Sequence, residues 1–529
     1  MRAAATPEWL EDAVFYQIYP QSFYDANGDG IGDIPGIIRK LDYLSELGVN
    51  AVWMNPCFLS PFEDAGYDVA DYCKVAPRYG TNADLVRLFE QARRRGIRIC
   101  LDLVPGHTSV QHAWFQASGR HRRNRYSDRY IWTQSVWDPG APPLRFINGY
   151  SERDGAYGIN FFYCQPALNY GFGRPDPRYP WQQPTDAPGP RATRAALKEI
   201  MDFWLRKGAS GFRVDMAYSL VKNDPGHQKT IDLWQEIRGW LEGRHPEAAL
   251  ISEWGNPSEA IKAGFHVDFM LHVGVPGFPS LFFKSKKRNC FFDSRGGGTI
   301  SEFLDEYTKH QRKIRGGYIS IPSANHDMPR PGFDRSKADL EVIFAFLLTW
   351  PGVPFIYYGD EIGMRFLPGL PSKEGGYGRT GTRTPMQWDG SRNAGFSTAS
   401  ARKLYLPIDP QARRPTVSAQ EQRSSSLLNH VRRLIALRKS SPALGAQGKM
   451  TPLFAEPGRY PFVYLRQRGR ERFLVALNPP REPVTVTVDA AGLGEIRREL
   501  GRGVKISVHR GRCKISMAGV SYGIFKLVS

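Results

Sequence analysis

Seven acidic, basic or cationic residues stand at the C-terminal ends of short apolar runs. Asp102 and His107 follow IRICLDLV, Arg213 and Asp215 lie in GFRVDM, Glu253 ends ALISE, and His326 and Asp327 follow YISIP. Where such runs are the strands of a barrel, polar groups at these ends form the site. Asp215, Glu253 and Asp327 come from different runs and converge on one mouth if the runs are aligned. Two carboxyl groups flanking a glycosidic bond are what its cleavage needs: one attacks or stabilises the anomeric carbon, the other protonates the leaving oxygen. Arg213 lies two residues before Asp215, so on a strand both side chains point the same way. Its guanidinium would hold that carboxylate ionised by charge and hydrogen bonding. One acid at a strand end is as readily a surface ion pair; three in register make a site.

The elements that must position these residues alternate along the chain. VFYQIYP, NAVWMNP, IRICLDLV, GFRVDM, ALISEW, HVDFML, YISIP and VPFIYY are short and apolar, as strands buried on both faces are. Between them, IPGIIRKLDYLSEL, NADLVRLFEQARRR, ATRAALKEIMDFWLRK and SKADLEVIFAFLLTW carry apolar residues at helical spacing. Eight strands with intervening helices predict an α/β fold, a (β/α)8 TIM barrel. The Gly-, Pro-, Tyr- and Arg-rich stretch between Val104 and Arg191 is too long for an ordinary connection and reads as a domain inserted after strand three. A second insertion spans about 365–425, and from 448 the period changes to two, as in PFVYLRQ, RFLVALN, VTVTVD, VKISVHR, CKISM and GIFKLV. The expected division is therefore 1–106 and 183–447 for the barrel, 107–182 for the insert and 448–529 for a C-terminal antiparallel β-sandwich.

GFRVD, SEWG, ANHD, DLVPGH, TRTPMQWD and the opening AVFYQIYPQSFYDANGDGIGDIPGI resemble the conserved regions of the α-amylase superfamily, glycoside hydrolase family thirteen. They stand in the expected order over nearly the whole chain. QPALNY, YYGDEIGM and the NAGFS after RTPMQWD are similar to the oligo-1,6-glucosidase, α-glucosidase and trehalose synthase group rather than to endo-amylases. The resemblance implies Asp215 as nucleophile, Glu253 as general acid/base and Asp327 as transition-state stabiliser, in a retaining mechanism. It implies sugar contacts from His107, Arg213, His326 and Gln165, with Tyr67 stacking on the sugar and Asp68 binding its far hydroxyls. Arg383 would pair with Asp68 and close the pocket. Departures from the pattern are Gly106, where many amylases place a calcium-ligating Asn, Met216 after the nucleophile, and Trp254 after the acid/base, a bulky residue expected to shape the leaving-group side. Met328 and Pro329 after Asp327 resemble the glucosidases more than the trehalose synthases.

In DANGDGIGD, Asp25, Asn27, Asp29 and Asp33 alternate oxygen-bearing side chains in a Gly-containing turn, the donor set of a hard cation. The resemblance adds the carbonyl of Ile31 and implies a structural Ca2+; the other reading is an Asx-rich turn without metal. No organic cofactor is expected. GYGRTG at 376–381 follows no strand and opens no helix, which argues against a dinucleotide site, and His107 and His112 lack zinc spacing.

The chain has 529 residues, 41% hydrophobic and 23% charged, which excludes a disordered or polytopic membrane protein. Its net charge of +19 raises nucleic acid and membrane surfaces as partners, but the runs at 93–95, 120–125 and 284–288 match no recognised nucleic-acid module and read as solvated faces. The partner expected is a small oligosaccharide or glucoside, with no nucleic acid and no membrane; the sequence sets no oligomeric state. Six scattered cysteines and an N-terminus without an apolar signal segment point to the reducing cytoplasm. The reading is an exo-acting α-glucosidase. Its rivals are a transglucosylase or isomerase such as a trehalose or isomaltulose synthase, and a carbohydrate-binding relative without catalysis.

Overall fold

The computed structural model describes residues 6–528 except 143, 149–150, 272–273, 275–276, 287 and 490–492. Lys287, within the basic run 284–288, thus lies outside the described residues. The eight apolar runs form β1 (Phe15–Ile18), β2 (Ala51–Met54), β3 (Arg98–Leu103), β4 (Gly211–Val214), β5 (Ala249–Ser252), β6 (Val267–Phe269), β7 (Tyr318–Ser320) and β8 (Phe355–Tyr357). They pair in parallel in the order β7-β6-β5-β4-β3-β2-β1-β8, and a bridge from Pro322 to Phe355 nearly closes the barrel.

Alternation along the strands sorts side chains between two cores. Phe15, Trp53, Cys100, Ile251, Val267, Phe269 and Phe355 fill the lumen, with Phe15 stacked on Phe355 at 4.3 Å between ring centroids. The opposite residues, Tyr16, Val52, Leu101, Phe212 and Leu250 among them, pack against the surrounding helices. Gly211 opens β4 because a Cβ there would stand 2.3 Å from the Ala249 carbonyl oxygen of the adjoining strand. The helix Asn82–Arg94 starts at a reciprocal cap between Thr81 and Asp84, and Lys337–Thr349 at one between Ser336 and Asp339. From Leu340 on, the second helix is buried on every side, because it runs between the barrel and the C-terminal sheet. No helix among the described residues is long and apolar enough to cross a membrane.

Between β3 and the helix Pro188–Lys207, the chain forms a short helix, Ala113–Ser118, and a hairpin, Arg145–Asn148 with Ala156–Ile159. The segment after β8 holds 3-10 turns, including Tyr377–Thr382, and the short helix Val417–Glu421. Beyond 448 lie β9 (Lys449–Phe454), β10 (Phe462–Arg468), β11 (Glu471–Asn478), β12 (Val484–Asp489), β13 (Glu495–His509) and β14 (Arg512–Val528). All six join one antiparallel sheet. The division differs from the pattern in the sequence. β9 contains Pro452, which hides it, and CKISM and GIFKLV are two ends of the single strand β14, whose partner β13 shifts register near Leu500 and Val504.

Candidate active site

The polar side chains stand one layer above the lumen's apolar plug, at the C-terminal ends of the strands. Gln17 of β1 donates to Asn55 Oδ1 (2.8 Å) and faces His326 Nδ1 (3.0 Å). With Nδ1 accepting, the imidazole carries its proton on Nε2, which points at Asp327 Oδ2 (2.9 Å). The Tyr67 ring stacks on His326 at 5.5 Å, and its hydroxyl donates to Asp102 Oδ2 (3.0 Å).

Arg213 is the hub. Its Nη1 reaches Asp102 Oδ1 at 2.8 Å and Asp215 Oδ1 at 3.0 Å, while Nη2 reaches Glu253 Oε2 at 2.8 Å. Glu253 Oε2 also accepts from the backbone N–H of Met216 at 3.1 Å, next to the proposed nucleophile. Met216 takes the left-handed conformation (φ 41°) as the chain turns sharply off β4. Burial and the Glu253 charge raise Asp215 well above the ordinary carboxylate range, with Arg213 pulling against them. Burial also brings Asp102 up to about 6 against the same guanidinium. Carboxyl groups crowded onto one guanidinium in a desolvated pocket ionise with difficulty together, the condition in which one serves as acid and another as carboxylate.

Asp327 has the opposite electrostatics. Burial alone would raise it, but the His326 imidazole and the guanidiniums of Arg383 and Arg379 hold it well below the usual range. Arg379 Nη1 and Arg383 Nη2 reach Asp327 Oδ1 at 2.7 and 3.0 Å. Both arginines come from the segment after β8, so that insertion forms one wall of the site. His107 is buried; its Nδ1 faces Asn160 Nδ2 at 3.2 Å, and its Nε2 has no hydrogen-bond partner among the described residues. Burial drives its pKa down to about 3, helped by the Lys222 charge, which favours the neutral imidazole.

A model of the α-amylase catalytic domain matches residues 17–447. The chain belongs to the α-amylase family. Among its relatives are a trehalose synthase/amylase of Mycobacterium tuberculosis, 33% identical over 83% of this chain and 76% of that one. The oligo-1,6-glucosidase of Parageobacillus thermoglucosidasius is 32% identical over 89% of this chain and 90% of that one. Among solved structures, an α-glucosyl transfer enzyme superposes with a TM-score of 0.80 at 27% identity, covering 99% of this chain and all of that one. An isomaltulose synthase mutant of Erwinia rhapontici NX5, bound to D-glucose, gives a TM-score of 0.81 at 28% identity, covering 99% of this chain and all of that one.

Within this α-amylase family site, several expectations need correction. Asp68 does not pair with Arg383. Its oxygens accept from Ser60 Oγ (2.8 Å) and the backbone N–H groups of Glu63 (2.8 Å) and Asp64 (3.2 Å), so it ties together the loop that carries Tyr67. The carboxyl group turned toward the arginines is Asp64, which accepts from Gln165 Nε2 at 2.7 Å. Burial raises Asp64 to about 7, opposed by Gln165 and by the Arg383 and Arg379 charges. Gln165 has its oxygen committed to the Phe162 N–H (2.7 Å) and its amide nitrogen to Asp64, so it positions that carboxyl group. Trp254 is buried: its ring lies edge-on to Phe265 and to His227, which lines a cavity with Met216 and Tyr218, and its Nε1 donates to Glu259. Sequence reading missed Asp64, Arg379, Asn160 and Lys222. The available signal for Asp64 was a second aspartate in EDAGYDV, just before Gly66; in the structure Ala65 and Gly66 both have positive φ.

At Gly106 a Cβ would meet Asn160 Nδ2 at 2.6 Å. The neighbouring space holds the Lys222 ammonium, which donates to Asn160 Oδ1 (2.7 Å) and to the Ser219 carbonyl.

In the loop 25–33, Asp25 accepts from the N–H groups of Asn27, Gly28 and Gly30 and from Ser397 Oγ, while Asp33 caps the following short helix. Asn27 and Asp29 are exposed, each accepting from the N–H two residues on. The loop has the form of successive Asx turns. Among the described residues no three His, Cys, Asp or Glu side chains gather as a metal ligand set.

Proposed function

We propose that the protein is a retaining, exo-acting α-glucosidase that removes the non-reducing glucosyl unit of short α-glucosides. The observation that carries the proposal is the single Arg213 guanidinium holding Asp215 and Glu253 at once, beside an Asp327 kept ionised by His326, Arg379 and Arg383. In this reading the Asp215 carboxylate attacks the anomeric carbon while Glu253 gives its proton to the leaving oxygen. A covalent glucosyl-enzyme forms, and Glu253 then takes a proton from the water that hydrolyses it. Asp327 accepts from sugar hydroxyls, and His107 donates to one through its unpartnered Nε2. Asp64 and Arg383 close the pocket behind the non-reducing sugar, the part first assigned to Asp68. Support comes from their burial, 6% and 2% exposed, at the wall built by the segment after β8.

The relatives named as trehalose synthases and the solved isomaltulose synthase and α-glucosyl transfer enzyme support a second reading, transfer of the same glucosyl group to a sugar rather than to water, while the oligo-1,6-glucosidases support the first. Product analysis on sucrose, maltose, isomaltose, trehalose and nigerose distinguishes the two. Free glucose as the dominant product supports hydrolysis, and new glucosides with little glucose support transfer. No turnover of any of the five contradicts both. We further propose a structural cation at the loop 25–33 from its alternating oxygens, and a reducing compartment from six cysteines that are all unpaired.

A further inference from the structure

Lys222 is 7% exposed at the junction between the inserted segment and the turn that follows the nucleophile. Burying an ammonium is costly, and here burial lowers the Lys222 pKa to about 7. A lysine kept in such a place invites a reason beyond packing. Its contacts supply one. Nζ donates to Asn160 Oδ1 from the insert (2.7 Å) and to the carbonyl of Ser219. Ser219 in turn bonds back to the carbonyl of Met216 through both its N–H and its hydroxyl, each at 2.9 Å. One ammonium thus ties the insert to the loop carrying Asp215.

The same bond settles the orientation of an amide. With Oδ1 taken by Lys222, Asn160 must turn its Nδ2 toward His107 Nδ1, where it lies at 3.2 Å. An imidazole whose Nδ1 accepts carries its hydrogen on Nε2. That atom is buried and makes no hydrogen bond of ordinary geometry among the described residues, while the Tyr67 carbonyl, an acceptor, also faces the ring. Without the lysine, the amide is free to turn over, present its oxygen to Nδ1 and move the imidazole hydrogen there, leaving Nε2 an acceptor.

We propose that Lys222 is a positioning residue: through Asn160 it fixes the tautomer of His107, so that Nε2–H is offered to a hydroxyl of the bound glucoside. The inference rests on the α-glucoside reading of the site. Lys222 itself touches no reacting atom.

The test is a double-mutant cycle on the full chain, read as kcat/KM for 4-nitrophenyl α-glucoside together with the melting temperature. Lys222→Met, which keeps the length but removes the donor and the buried charge, should lower kcat/KM about tenfold, the order of one lost hydrogen bond. Its melting temperature should fall somewhat, because Asn160 Oδ1 and the Ser219 carbonyl lose their donor, so kcat/KM is compared at a temperature where both proteins are fully folded. His107→Ala should lose activity as well, and Lys222→Met in the His107→Ala background should lose nothing further. Losses that multiply in the double variant overturn the proposal, as does unaltered kcat/KM in Lys222→Met. If that variant fails to fold, Asn160→Leu cuts the same chain and goes through the same cycle with the same criteria. A wild-type chain without turnover of the aryl glucoside would instead overturn the enzymatic reading and is a separate outcome.

Discussion

Replacing Arg213 by methionine should move the acid limb of the pH profile upward while leaving the pocket's shape nearly intact. The guanidinium holds Asp102, Asp215 and Glu253 at 2.8, 3.0 and 2.8 Å, and it is 2% exposed. A hydrogen bond to a charged group contributes roughly 1.5–3 kcal/mol, and 1.36 kcal/mol corresponds to about one pKa unit. Losing the bond to Asp215 should therefore push that carboxyl group further above its ordinary range. On the proposed reading Asp215 attacks only when ionised, so the acid limb of kcat/KM should shift to higher pH, with roughly a ten- to hundredfold loss on the acid side, and the plateau should fall. Stability follows the same sign. Asp102 and Asp215 have folded pKa values above their unfolded ones, so the native state binds more protons and loses stability as pH rises through that window. The variant raises both further, and the melting-temperature gap to wild type should widen from pH 5 to pH 8. At the alkaline end the gap reflects buried charge without a partner, on the order of 3–5 kcal/mol. The assay is kcat/KM on an aryl α-glucoside across pH, with a melting curve at each pH. An acid limb that stays in place, or a gap that does not change with pH, refutes the reasoning.

The two aspartates of EDAGYDV should separate cleanly. Asp64→Ala should cut kcat/KM on maltose roughly a hundredfold with a small change in melting temperature. Asp68→Ala leaves the Glu63 and Asp64 N–H groups without their acceptor, about 1–3 kcal/mol for each, and should show chiefly as lost stability. Steady-state kinetics and calorimetry on both variants check this, and reversed phenotypes would restore the original assignment to Asp68. If the loop 25–33 holds a cation, a chelator should lower the melting temperature and calcium should restore it; a melting curve indifferent to both removes the metal. A long maltooligosaccharide blocked at its non-reducing end should resist digestion, because a substituted 4-oxygen would clash with the closed pocket and leave buried polar groups unpaired. Rapid internal cleavage, seen by chromatography, would open the pocket.

Legibility in the sequence followed burial. The eight barrel strands stand out because both faces are covered, so each is a short run of apolar residues bounded by turns. Their C-terminal ends then give Asp102, Arg213, Asp215, Glu253 and Asp327 directly. Period and spacing lose force where the chain leaves the strands. Asp64 and Asp68 sit four residues apart in one irregular loop, and which of them faces the arginines depends on positive-φ turns at Ala65 and Gly66. Lys222 and Asn160 meet across 62 residues, a contact that no local pattern encodes. β9 escaped because Pro452 interrupts its alternation, and the long hairpin of β13 and β14 was read in pieces because its bulges break the period.

The central claim is that Asp215 attacks and Glu253 then frees it. The most direct measurement uses Glu253→Gln with an α-glucosyl fluoride, whose leaving group needs no acid, followed by proteolysis and mass spectrometry. The account predicts a glucosyl adduct on the peptide containing Asp215 and, for the wild-type enzyme, α-glucose as the first anomer released. No adduct on that peptide, with β-glucose released first, would contradict it.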